Sequence, residues 1–151
     1  GGSVGLMGAL ADATLDAGGE VVGVIPTSLA EQEVAHRGVD LRLVDSMHER
    51  KELMVELADG FVALPGGLGT VEELFEVLTW AQLGFHDDPV GLLAVGDYFD
   101  DLVAWLDGAT EAGFVREEHR ELLVVEEDPG ALLDRFASYR PPDAEKWVDR
   151  D

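Results

Sequence analysis

Apolar residues in this chain fall into short unbroken runs that alternate with longer stretches where they recur every three or four positions. The runs at 21–25, 41–44, 61–64, 90–95 and 122–125, rich in Val and Leu, predict strands. The periodic stretches at 4–17, 46–58, 70–83, 98–112 and 129–138 predict helices. Continuous rather than alternating apolar character suits strands covered on both faces. The order is that of repeated βα units, so the expected fold class is α/β around a parallel sheet. Punctuation supports the boundaries: Gly18-Gly19 closes the first helix, Asp59-Gly60 turns into the third strand, and Pro89 introduces the fourth. Residues 1–140 are expected to form a single domain, followed by a polar C-terminal tail at 141–151 in which Trp147 is the one residue suited to docking on the body.

Composition narrows the partners. The 151 residues are 46% hydrophobic and 28% charged, with no apolar run near the roughly 18 residues of a membrane span. There are 32 acidic residues against 10 basic ones, a formal net charge of -22. Such a surface repels nucleic-acid polymers and anionic membranes, while leaving room for a small anion at a local positive site. The absence of cysteine excludes disulfides, thiolate metal sites and a cysteine nucleophile, and fits a reducing cytoplasm. His36, His48, His86 and His119 are scattered without ligand spacing, so no metal is expected.

The third predicted strand runs straight into Pro65-Gly66-Gly67-Leu68-Gly69-Thr70-Val71-Glu72-Glu73. Three glycines let several backbone N–H groups converge, and a helix start adds unpaired donors and partial positive charge, which together suit phosphate. The loop lacks the Lys-Ser/Thr ending of a P-loop and the Gly-x-Gly-x-x-Gly of a dinucleotide fold. Two readings of the glutamates stay open. Thr70 is an N-cap with Glu73 as its capping-box partner, or Glu73 projects over a ligand about one helical turn from its phosphate.

The second feature is the helix containing Met47-His48-Glu49-Arg50-Lys51. Met47, Met54 and Ala58 follow helical spacing and put Arg50 and Lys51 on or beside the apolar face. A cation there requires either an internal carboxylate, such as Glu73, or a bound anion.

These two motifs together resemble the LONELY GUY family of cytokinin-activating phosphoribohydrolases, whose members are often labelled lysine decarboxylases. The likeness also runs through Gly1-Gly2-Ser3-Val4-Gly5-Leu6-Met7-Gly8, Gly23-Val24-Ile25-Pro26, Thr79-Trp80-Ala81-Gln82-Leu83-Gly84 and Pro89-Val90-Gly91-Leu92-Leu93. It implies a Rossmann-like doubly wound parallel sheet, and hydrolysis of the N-glycosidic bond of AMP or an N6-modified AMP without a cofactor. By motif, Arg50 and Glu73 match the catalytic pair. Lys51, Gly66, Gly67, Leu68, Gly69, Thr70, Glu72 and Thr79 match substrate-binding positions, and Glu33 matches a further substrate-contacting glutamate. The family also implies a homodimer or larger homo-oligomer, with the helix of Thr79, Trp80 and Leu83 as an interface element. Because family members carry a strand, helix and strand ahead of the glycine turn at Gly1, the chain is expected to lack its N-terminal strands. A rival reading is a nucleotide or molybdenum-cofactor carrier that shares the fold and a similar loop but binds without turnover; the Arg50-Lys51 helix favours the hydrolase. Lysine decarboxylation is disfavoured, since Lys51 and Lys146 are the only lysines and no pyridoxal-phosphate motif accompanies them.

Overall fold

Among the described residues the apolar runs become five strands, and every pairing between them is parallel. The computed structural model describes residues 3–30, 36 and 38–142. Glu33 lies outside the described residues, as does the tail from 143 onward with Trp147. Two compact units divide the chain, Gly1–Ala58 and Asp59–Asp151.

The first unit contains α1 (Gly5–Asp16), β1 (Val22–Pro26), α2 (Thr27–Ala30), β2 (Asp40–Val44) and α3 (Met47–Leu57). β1 pairs with β2 in register from Val22↔Asp40 to Pro26↔Val44. Gly18, at φ +79, makes the left-handed turn after α1 that the glycine pair predicts. Ser46 starts α3: its Oγ accepts from the Glu49 N–H at 3.1 Å, and the Glu49 carboxylate accepts from the Asp45 N–H at 2.9 Å. A cap of this kind stabilises a helix by about 1 kcal/mol.

The second unit contains β3 (Phe61–Ala63), α4 (Leu68–Leu83), β4 (Val90–Leu93), α5 (Asp100–Glu111), α6 (Glu117–Arg120), β5 (Leu123–Glu126) and α7 (Pro129–Ala137). Its strands lie in the order β3-β4-β5. Parallel crossovers keep one hand, so a sheet that grows in one direction collects its crossover helices on one face. Leu74 of α4, Leu106 of α5 and Phe99 at the α5 N-cap pack there against Val90, Leu92 and Leu123. The other face is covered by α7. A side chain at Gly91 would lie 2.7 Å from the Phe136 ring and 2.8 Å from Leu132, so glycine here lets α7 close onto the sheet. Helices on both faces of parallel strands make this unit Rossmann-like and doubly wound. Among the described residues, no helix is long and apolar enough to cross a membrane.

Several expectations need correction. α4 begins at Leu68, not at residue 70, with Gly67 as N-cap and no side-chain cap. Thr70 is therefore inside the first turn, and the capping-box reading of Thr70 and Glu73 fails; Glu72 and Glu73 belong to the next turn. β4 stops at Leu93 rather than running to residue 95, because Val95 is exposed and its N–H turns back to the Leu93 carbonyl ahead of Gly96 at φ +61. α5 begins at Asp100 rather than residue 98. The short helices α2 and α6 carry too few residues to show a period. In α3, Met47 and Met54 are exposed and no residue is fully buried, whereas Arg50, Lys51, Leu53 and Val55, with Ala58 at the C-cap, are half-buried. The helix thus turns its cations further from solvent than its methionines.

Candidate functional site

The strand β3 ends at Ala63, and four residues separate it from the start of α4 at Leu68. This places the glycine loop at the carboxyl end of a parallel strand, where open α/β sheets bind their ligands. Gly67, at φ -93 and ψ -152, accepts the first helical bond from the Val71 N–H at 3.2 Å. The leading N–H groups of a helix have no acceptor within it, and no side chain caps them here.

The three glycines are present for different reasons. A side chain at Gly66 would collide with Thr70, so Gly66 lets the loop pass against the first turn of α4. At Gly67 and Gly69 an added side chain would meet nothing within 4 Å, and neither residue has positive φ. The protein's own packing and backbone therefore require glycine at neither position. What their small size does is leave the outer surface of the loop bare. Leu68 between them is 90% exposed, so its contribution to an anion site would come from its backbone.

Thr70 is half-buried against Gly66, Glu72 is exposed and Glu73 is half-buried. Thr70 and Glu73 are three apart and share one face of α4, with Glu73 roughly 4.5 Å further along the axis. Thr79 is six residues beyond Glu73, about 9 Å along and about 120° around the helix. Its hydroxyl donates to the Phe75 carbonyl at 2.6 Å. Thr79 is therefore not on the face of Glu73, and its assignment rests on the motif match.

Sequence reasoning missed Tyr98, whose hydroxyl donates to the Gly66 carbonyl at 2.6 Å. Tyr98 lies in the turn after β4, and β4 is the neighbour of β3, so the two carboxyl-end loops meet. The available signal was a tyrosine just past an apolar strand, which becomes informative only once strand order is known.

In the first unit, the half-buried Arg50 donates from Nε to the Val24 carbonyl at 3.3 Å, which holds its guanidinium over the buried strand β1. Lys51 follows it on α3 and is also half-buried. Among the described residues, no group of three or more His, Cys, Asp or Glu is placed to hold a metal ion.

Parallel strands with a bare glycine loop opening a 16-residue helix define an α/β protein with anion-binding geometry at one strand end. A family model described as possible lysine decarboxylase matches residues 7–136, and the chain belongs to that family. Over 142 residues it is 51% identical to the probable cytokinin riboside 5'-monophosphate phosphoribohydrolase LOGL9 of Oryza sativa subsp. japonica, a match covering 93% of this chain and 63% of that protein. It is 46% identical to the cytokinin riboside 5'-monophosphate phosphoribohydrolase LOG of the same organism, covering 93% and 59% respectively. With the enzyme of that activity named LOG3 from Arabidopsis thaliana the identity is also 46%, covering 93% and 66%. The chain spans about three-fifths of the length of these curated relatives.

Proposed function

We propose that this protein is a nucleoside 5'-monophosphate phosphoribohydrolase acting on AMP or an N6-modified, cytokinin-type AMP. The observation that carries the reading is the bare loop: Gly67 and Gly69 are small where the chain's own structure does not need them to be. A 5'-phosphate on the backbone N–H groups of 67–70 accounts for this, and the named activity of the relatives supplies the substrate class.

In the reaction the bond from the sugar C1' to the base nitrogen breaks, and the base keeps the bonding electron pair. A water oxygen adds to the oxocarbenium-like C1', and its proton goes to the base. The products are the free base and ribose 5-phosphate. With the phosphate on the loop, Glu73 stands about one turn of α4 beyond it, at the reach of the ribose. Its carboxylate stabilises the cationic sugar and holds a hydroxyl or the attacking water. Arg50 binds substrate and stabilises charge that develops on bond cleavage. Lys51, Gly66, Gly67, Leu68, Gly69, Thr70, Glu72, Thr79 and Glu33 are assigned to substrate binding. The protein acts in the cytoplasm as a homodimer or larger homo-oligomer; the family resemblance and the exposed Leu83 and Phe85 at the end of α4 support that assembly.

The test is to incubate the full-length protein with AMP and with isopentenyladenosine monophosphate and to follow the bases by chromatography. Release of adenine or isopentenyladenine together with ribose 5-phosphate is expected. Tight nucleotide binding without base release would replace this reading with that of a carrier.

A further inference from the structure

Tyr98 hydrogen-bonds the main chain of the glycine loop at 2.6 Å, yet the loop's glycines and Thr70 already account for its shape at Gly66. Tyr98 is 55% exposed, and its ring stands edge-on to Phe99, with centroids 4.9 Å apart and planes at 86°. Phe99 is 2% exposed in the core, so the tyrosine is anchored from below while its hydroxyl reaches the loop. The left-handed Gly96 and the turn closed by the Asp100 N–H on the Asp97 carbonyl, at 3.2 Å, bring it there.

The consequence follows from the peptide unit. In a planar trans peptide the carbonyl and the next residue's N–H point in opposite directions. Fixing the Gly66 carbonyl toward Tyr98 therefore turns the Gly67 N–H, at the uncapped start of α4, to the side of the peptide away from the tyrosine. The phenol has one proton and donates it to Gly66, so it has none to offer a phosphate. It also keeps the Gly66 carbonyl oxygen, which would repel an anion, engaged away from that space.

We infer that Tyr98 is a positioning residue for the phosphate end of the substrate, acting through the Gly66–Gly67 peptide. The inference rests on the nucleotide reading above. Contacts to a 5'-phosphate are remote from the bond that breaks and are equal in ground and transition states, so losing one raises KM and spares kcat.

The experiment uses full-length wild type and Tyr98→Phe, which keeps the ring and removes the donor. With AMP, KM is expected to rise about fivefold to tenfold, the size of one net hydrogen bond, with kcat within about threefold. Inorganic phosphate as a competitor weakens by the same factor, while adenosine, which lacks the phosphate, binds unchanged. A KM within twofold of wild type overturns the inference. So does an equal weakening of adenosine, since that would place the effect on the fold and not on the phosphate. Wild-type protein that neither binds nor cleaves AMP or isopentenyladenosine monophosphate overturns the nucleotide reading and this inference with it, whereas active wild type beside an unaltered variant overturns this inference alone.

Discussion

Replacing Gly69 by alanine sets protein stability against ligand binding, and the structure predicts that the two move in opposite directions. Gly69 lies within α4, in its first turn, has ordinary φ, and, apart from its chain neighbours and the helix's own backbone, has no atom of the protein within 4 Å of where a side chain would start. Alanine in a helix is more stable than glycine by about 0.5–1 kcal/mol, because the unfolded glycine has more freedom to lose. For a chain of this length that corresponds to a melting temperature higher by about 1–4 °C. The added methyl also enters the space assigned to the phosphate and displaces it from at least one N–H group. A hydrogen bond to a charged group contributes about 1.5–3 kcal/mol, so AMP affinity falls by about 10- to 100-fold. Scanning calorimetry and titration calorimetry on the same preparation measure both quantities. AMP affinity equal to wild type would show that the open space at Gly69 is not where the ligand sits. A lowered melting temperature would show that the space is not open.

Two other substitutions probe the frame around the loop. Gly91→Ala forces a methyl against Phe136 and Leu132 beneath α7, and urea unfolding is expected to show a loss of about 1–3 kcal/mol, as for other overpacked cores. Tyr139 tests pH dependence: burial, with the Asp87 carboxylate adding to it, raises its phenol above the ordinary value of 10.0. A raised acid binds its proton more tightly when folded, so its contribution is fully present below pH 10 and is lost as the pH climbs through the folded value. The melting-temperature difference between wild type and Tyr139→Phe should stay flat up to about pH 10 and turn against wild type above it; a constant difference would show that the phenol titrates alike in both states.

The strands were legible because each is a short Val- and Leu-rich run bounded by glycine, proline or aspartate, and boundaries such as Phe61 and Val90 were placed at the residue. The start of α4 was not. Its cap is the backbone of Gly67, which leaves no side-chain signal, and Thr70 with Glu73 imitates a capping box one turn too late. A true cap at Ser46 with Glu49 was written in the chain and went unread beside the cations that follow it. Arg50 is half-buried, as a cation on or beside an apolar face is expected to be, and one of its partners is the carbonyl of Val24, a main-chain atom that no residue pattern announces. Tyr98 was invisible for a related reason: its partner is again a carbonyl, and their meeting depends on β3 and β4 being neighbours.

The most direct test of the account is the turnover of Glu73→Gln beside wild type, with AMP or isopentenyladenosine monophosphate as substrate. Glutamine keeps the shape and removes the charge that the proposed mechanism sets against the cationic sugar. Losing a preorganised electrostatic partner of this kind costs about 100- to 1,000-fold in kcat, and KM, which the proposal assigns largely to the phosphate on the loop, should stay within about threefold. Near-full activity of Glu73→Gln would contradict the assignment of this carboxylate to the reaction.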